Sequence, residues 1–384
     1  MARSVRQRYR FAAVAGFLFV HLAALGVFWV GFSWTGVLLC VASYYLRMVA
    51  ITAGFHRYFS HRTYRLGRVS QFLLAFLGQT AAQKGVLWWA SNHRHHHRYS
   101  DLPEDVHSPT QKGFWWSHVG WILVPDYERT DYSRIPDLAK YPELVWLDRH
   151  QFVATLLYAA ALAFAFGPVG LFYGYFLSTV ILWHGTFCIN SVMHLVGRRV
   201  FPTTDTSRNS FLLAIATSGE GWHNNHHYFP GSAAQGFRWW QFDGTFYLLW
   251  LLEKVGIVKD LHRAPARLRA RDAGRRERPA PAGEPWNETI RRLTERWVEL
   301  RDAAWASARH AVEELESARV HAVERLERLH AEAVELGARA AGKRIEELHV
   351  EIERCRAHLA EVLERLVAAA EAAVPAPAPA ALRI

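Results

Sequence analysis

FAAVAGFLFVHLAALGVFWVGFSWTGVLLCVASYYL, residues 11–46, contains no Asp, Glu, Lys or Arg. One helical membrane crossing takes about 20 apolar residues, so this stretch holds two, with a turn at Gly31-Phe-Ser-Trp-Thr-Gly36. Arg3, Arg6, Arg8 and Arg10 precede it. It is too long for a signal peptide and has no convincing small-residue cleavage site. A second charge-free stretch runs from His150 to Gly197 and again holds two crossings, turning at Gly167-Pro-Val-Gly170. The expected spans are residues 11–30, 34–53, 150–167 and 170–190. Both turns lack charge while Arg is dense at the outer ends, so the positive-inside rule puts the N-terminus and the segments following each hairpin in the cytoplasm. Residues 69–89 are also apolar, but Gln71, Gln79, Gln83 and Lys84 interrupt them. They read as a helix buried in the protein or lying at the interface. The fold class is therefore all-α integral membrane: four transmembrane helices in two hairpins with a cytoplasmic helical cap.

The composition agrees with a chain of two characters. It is 51% hydrophobic with 16 Trp, yet the mean hydropathy is only -0.05. A very polar part must dilute a very apolar one. The net charge of +10 suits the anionic face of a membrane or an acidic partner. Nucleic acid is disfavoured, because the Arg residues flank apolar spans and form no aromatic-interleaved patch. Three scattered cysteines, Cys40, Cys188 and Cys355, exclude a disulfide framework, a cysteine zinc site and an iron–sulfur cluster.

Residues 1–263 form the expected membrane domain. From 264 to 285 the chain is rich in Arg, Pro and Ala and reads as a linker. Over 286–374, apolar residues recur at three-four spacing, including Leu315, Ala322, Leu329, Leu348, Ile352, Cys355, Leu359 and Leu366. A coiled-coil or docking helix, able to self-associate, and a solvated, partly frayed helix both fit this pattern. Residues 375–384, rich in Ala and Pro, are expected to be disordered.

Three histidine clusters follow the apolar stretches: His56-Arg-Tyr-Phe-Ser-His61, His93-Arg-His-His-His97 and His223-Asn-Asn-His-His227. Imidazole is the commonest metal ligand among side chains. His93, His96 and His97 share one helix face by spacing, as do His223, His226 and His227, and as do Asn190 and His194. His56 and His61 are five apart, off one face of a straight helix. They either straddle a helix end or serve different metals. His95 points away. His107 is structural or supports a ligand. His21, His118, His150, His184 and His262 read as lone core or surface residues. Nine converging imidazoles exceed what one metal takes and imply two, with Fe, Cu, Ni and Zn all compatible.

Gly54-Phe-His-Arg-Tyr-Phe-Ser-His61, His93-Arg-His-His-His97, Asn190-Ser-Val-Met-His194 and Gly219-Glu-Gly-Trp-His-Asn-Asn-His-His227 resemble the membrane fatty-acyl desaturases, particularly the acyl-CoA desaturase branch. Ser117-His-Val-Gly-Trp121 looks like that family too, and the likeness covers roughly residues 10–262. The resemblance implies a di-iron centre held by His56, His61, His93, His96, His97, His194, His223, His226 and His227, with Asn190 binding one iron through water. It implies that O2 and two electrons remove two hydrogens from a saturated acyl chain, with a cis double bond expected at carbon nine. Gln83, Trp89 and Thr186 match residues lining the bend of the family's acyl tunnel, and Tyr44 falls near the position that closes it. Ser91 and Asn92 stand where the animal enzymes place Arg and Asp to contact coenzyme A. The resemblance implies coenzyme A as carrier, but the replacement of those two residues leaves acyl carrier protein and membrane lipid open as alternatives. No fused haem donor domain is visible, which implies a separate donor such as a ferredoxin or reductase, drawn by the Arg-rich linker. The implied location is the bacterial plasma membrane, with N-terminus and active site cytoplasmic. A membrane di-iron hydroxylase and a non-enzymatic metal-binding protein are the alternative readings.

Overall fold

A computed structural model describes residues 9–269, the helix Lys343–Ala373 and a few positions between 318 and 329. Among the described residues the chain is helical, without strands and with only isolated bridges such as Arg65 with Lys259. It divides into one unit of Met1–Ala264 with Leu268–Arg275 and a second of Pro265–Arg267 with Arg276–Ile384.

The charge-free N-terminal stretch forms helices α1, Phe11–Val30, and α2, Trp34–Ser60, both long and apolar enough to cross a membrane. Gly31, at φ 78°, turns the chain between them. Ser33 caps α2, its hydroxyl accepting from the Gly36 amide at 3.1 Å. The expected second span ends near residue 53, but α2 continues to Ser60 because its last eleven residues, Ala50–Ser60, form a π-helix. Helix α3, Arg68–Gln79, has 12 residues. At about 1.5 Å per residue that is too short for a core about 30 Å thick. Helix α4, Val86–Tyr99, follows it. Asp148 caps α4 by accepting from the amides of Leu87 and Trp88, both at 2.9 Å. Gly85 permits this approach, since a Cβ there would stand 2.0 Å from Asp148 Oδ1. Helix α5 is the short Phe114–His118.

A third apolar stretch, Phe152–His194, runs for 43 residues. It contains α6, Phe152–Val169, a π-helical turn Gly170–Leu177, and α7, Ser178–Asn190. Straight, it would be about twice the hydrocarbon thickness. It is not straight. Gly167 adopts φ 58°, ψ -146° ahead of Pro168, and the chain doubles back. Thr155 and Tyr175 hydroxyls then meet at 2.7 Å. Gly170 lies so close to the Leu162 carbonyl that a Cβ would sit 2.1 Å from its oxygen. Large apolar side chains point outward along these helices, with Phe164 96% exposed and Trp29 74%. That pattern fits lipid, not water.

A charge is buried among the apolar helices. Arg47 of α2 is fully buried and donates to Ser178 Oγ at 2.5 Å, Thr179 Oγ1 at 2.7 Å and the Thr80 carbonyl at 3.3 Å. It thereby ties α2 to α7 and to the end of α3. The core around it includes Met48, Phe55, Phe59, Leu87, Leu138 and Leu147. Helices α8, His223–Tyr228, and α9, Gly244–Lys254, complete this unit. Ala264 and Leu268 pack with Phe201 and Phe237, so the start of the expected linker belongs to a hydrophobic cluster. Its remainder, 270–285, and the tail 375–384 lie outside the described residues.

In the second unit, α10 is Lys343–Ala373. Ile352, Cys355, Leu359 and Leu366 of the apolar stripe are buried, and Cys355 Sγ lies 3.4 Å from the Ala322 carbonyl. Most of residues 286–342 lie outside the described residues.

Candidate metal centre

Two groups of imidazoles form, each with its ring nitrogens mutually within 4.8 Å. One comprises His56, His61, His93, His97 and His226. The other comprises His96, His194, His223 and His227. The first cluster behaves differently from what α-helical spacing predicts. In the π-helix the His61 amide bonds the His56 carbonyl at 3.2 Å, five residues back. Such a turn is wider than an α-turn, so both rings reach one group. His61 does sit at the helix end, but the pair is not divided between two groups.

The other two clusters are each shared. On α4, His93 and His97 are one turn apart and join the five-histidine group, while His96 turns into the four-histidine group. On α8 the pattern is reversed: His223 and His227 join the four-histidine group and His226 the other. Three histidines per helix thus serve two adjoining groups, and His97 and His227 stack across the boundary at 4.4 Å.

The nitrogens face each other at close range. His56 and His226 approach at 2.9 Å, His61 and His93 at 2.9 Å, His97 and His226 at 3.0 Å, and His194 and His223 at 3.1 Å, all through Nε2. Neighbouring nitrogens about 2.1 Å from one metal in octahedral array stand about 3.0 Å apart. His227 Nε2 is buried without a hydrogen-bond partner, as a ligand atom would be. Burial, followed by neighbouring imidazoles, pushes His61, His93, His97, His223 and His226 well below the usual histidine range. Metals require the neutral form, which burial favours in these five rings, and the clustered nitrogens fit a pair of metal ions.

Carboxylates hold the outward nitrogens. Asp205 Oδ2 meets His227 Nδ1 at 2.7 Å, Asp105 meets His96 Nδ1 at 3.0 Å, Asp101 meets His194 Nδ1 at 3.1 Å, and Glu220 meets His56 Nδ1 at 2.5 Å. This is the carboxylate–histidine arrangement that fixes a metal ligand's tautomer and orientation. Burial opposes ionisation of these acids, but their histidine partners hold Asp101, Asp105 and Asp205 well below the carboxylate range. Glu220 is held at about 2, against burial, by His56 and Arg57. Arg57 in turn bridges Glu220, at 3.0 Å, and Asp243, at 2.9 Å. None of these acids stands out in the sequence. Glu220 lies inside a quoted motif, and Asp101 and Asp105 close behind the second cluster, but loop acids near histidines carry no periodic signal. His107 is buried with its ring 4.3 Å from His96, and forms a third group with His96 and Asp105. His95 Nε2 meets the Glu104 carbonyl instead, at 2.9 Å. Asn190 ends α7, one turn before His194, its carbonyl accepting from Ser117 Oγ at 3.0 Å.

Residues 32–258 match the fatty acid desaturase family. The chain belongs to that family. It is 38% identical over 262 residues to an sn-2 palmitoyl-lipid 9-desaturase of Nostoc sp. (strain 36), covering 67% of this chain and 91% of that one. It is 39% identical over 235 residues to an acyl-CoA C20 Delta5-desaturase of Anemone leveillei, covering 60% and 75%. It is 35% identical over 262 residues to a hex-5-enoyl-[acyl-carrier protein] acetylenase of Moorena producens (strain JHB), covering 63% and 81%. The protein is therefore an oxidoreductase of fatty acyl chains, with a candidate metal centre next to membrane helices.

The expected tunnel residues make separate local contacts. Trp89 stacks on His93 at 4.7 Å between ring centres. Gln83 donates to Thr186 Oγ1 at 2.8 Å. Tyr44 sits beside Gly185, the residue before Thr186, and donates to the Ala216 carbonyl at 2.5 Å. Ser91 and Asn92 are buried, and their side chains donate to the carbonyls of Asp131 and Trp88. Neither offers a charge to a carrier at the surface.

Proposed function

We propose that the protein introduces a cis double bond at carbon nine of a saturated fatty acyl chain, using O2 and two irons. The observation that carries this reading is the pairing of five-histidine and four-histidine groups, with the Trp89 ring stacked on His93 of the first. His56, His61, His93, His97 and His226 hold one metal; His96, His194, His223 and His227 hold the other, with Asn190 acting through water. The metals, when bound, supply the oxidant made from O2 and two electrons. Two hydrogens leave the acyl chain, two protons enter, and two waters form.

The protein's part is orientation and exclusion. The indole of Trp89 walls the chain beside His93, the Gln83–Thr186 bond sets a bend, and Tyr44 closes the far end. A bend fixes which carbon faces the metals, and the likeness to the Nostoc palmitoyl-lipid 9-desaturase supports carbon nine. The relatives' names cover lipid, acyl-CoA and acyl carrier protein. The neutral, buried Ser91 and Asn92 favour a membrane lipid over coenzyme A.

Four crossings in two hairpins return α2 and α7 to one side, which the Gly31 and Gly167 turns support. That side is the cytoplasm of a bacterial plasma membrane. A separate ferredoxin or reductase delivers electrons, attracted by Arg275, Arg276 and Arg278, which lie outside the described residues. Self-association belongs to the C-terminal helix.

Expression in a host lacking unsaturated fatty acids, with mass spectrometry of double-bond position and metal analysis of the purified protein, tests this. A product lacking two hydrogens at carbon nine supports it. A product carrying one added oxygen supports a hydroxylase, and metal binding without product supports a storage protein.

A further inference from the structure

Three histidines outside the two groups form a single hydrogen-bonded line. His21 Nδ1 meets the Phe17 carbonyl at 2.8 Å, and its Nε2 meets His184 Nε2 at 3.1 Å. His184 Nδ1 meets His118 Nε2 at 3.0 Å. His118 Nδ1 meets Ser191 Oγ at 2.9 Å, and Ser191 Oγ meets the Phe187 carbonyl at 2.9 Å. The line crosses α1, α7 and α5 and ends at Ser191, between Asn190 and the His194 turn. Each ring uses both nitrogens in the line, so the rings are strung end to end and do not surround a common point.

The hydrogens can be counted. Both ends are carbonyl oxygens, which only accept. Three neutral imidazoles carry one N–H each and the serine one O–H. That makes four hydrogens for five hydrogen bonds. In the neutral line Ser191 donates to His118, His118 to His184, His184 to His21 and His21 to Phe17, and the Phe187 bond goes unmade. Adding one proton gives His118 a second N–H. Ser191 then rotates its hydroxyl from His118 to Phe187, and all five bonds are made. The gain and loss of a proton thus need one hydroxyl rotation and no movement of heavy atoms. The rings around the line are aromatic: Phe17 and Trp183 at His21, Phe114 and Trp115 at His118, and Phe187 at His184. A polar line of this length among apolar helices is costly and points to function.

We propose that His21, His184, His118 and Ser191 form a one-proton store serving the metal centre. Its proton is taken up as an N–H of the imidazole line and given up from the Ser191 end, beside the Asn190–His194 turn. The store rests on the desaturase reading for its use, because that reaction consumes two protons per turnover. These four are positioning residues for protons and touch neither metal nor acyl chain.

Histidine nitrogen NMR on the full chain in lipid nanodiscs, loaded with zinc so that the rings are observable, tests the count. One proton should be taken up in a single step felt by both His118 and His184, and Ser191→Ala, which keeps all three rings, should weaken that uptake at least about tenfold. Independent titration of the rings, or unchanged uptake in S191A, overturns the store. In the iron-loaded protein, His118→Gln should lower kcat about tenfold with KM unchanged, enlarge the solvent isotope effect and respond to added imidazole. An unchanged isotope effect overturns the link to catalysis. A wild-type protein that forms no double bond overturns the desaturase reading instead, and the NMR count then decides the store by itself.

Discussion

His227 Nδ1 lies 2.7 Å from Asp205 Oδ2, while its Nε2 is buried without a partner. One nitrogen is thereby committed to the protein and the other freed for a metal. Asp205→Asn preserves shape but removes the charge that fixes this tautomer. Losses of outer partners of this kind cost about 10–100-fold in metal affinity. Chelator competition on the purified protein should show a loss of that size for one metal equivalent, with the second equivalent nearly unchanged.

His96 and His226 belong to different groups although each stands in the middle of its helix's cluster. His96→Ala and His226→Ala should each abolish desaturation while leaving insertion into the membrane intact. Metal analysis should show about one equivalent lost in each, from opposite groups. Normal metal content with retained product in either variant refutes the assignment.

Tyr44, proposed to close the far end of the acyl slot, donates its hydroxyl to the Ala216 carbonyl. Tyr44→Ala opens room for further methylenes, each worth about 1–3 kcal/mol in an apolar slot. The ratio of stearoyl to palmitoyl product should rise, by about tenfold or more. A ratio that stays put places the end of the slot elsewhere.

Arg47 is buried with neutral partners on two other helices. Arg47→Ala removes its hydrogen bonds and leaves a cavity, and should cost about 3–5 kcal/mol. Thermal unfolding in detergent should show the drop, with metal content at low temperature preserved.

Lys84 faces the Tyr127 carbonyl at 3.4 Å and the Trp88 ring at 4.3 Å. Burial, with help from Arg10, pulls its amine from 10.5 down to about 8. Below pH 8 the folded protein bears the full cost of a buried ammonium. Between about pH 8 and 10.5 the folded state has released the proton and the unfolded state still holds it, so stability rises with pH. Lys84→Met should flatten this rise in denaturation curves taken across that range.

The apolar helices were legible because charge is absent for long runs, and the histidines because they cluster along the chain. What escaped reading depended on three-dimensional proximity or on departures from regular geometry. His56 and His61 look mismatched at 3.6 residues per turn and meet only because α2 widens into a π-helix. His93 and His97 separate from His96, which spacing alone had placed together. Asp101, Asp105 and Asp205 come from loops whose positions no periodicity encodes. His21, His184 and His118 look solitary because 163 and 66 residues separate the bonded pairs.

The widened helix from Ala50 to Ser60 makes the centre sensitive to residue count as well as residue kind. A π-turn holds one residue more than an α-turn. Deleting a single small residue such as Ala53 would let the segment relax to ordinary winding, and everything after it would swing by about 100°. His61 would leave its group although no histidine had been touched. Along this stretch, lineages of the protein should tolerate exchanges of side chain far better than changes in length.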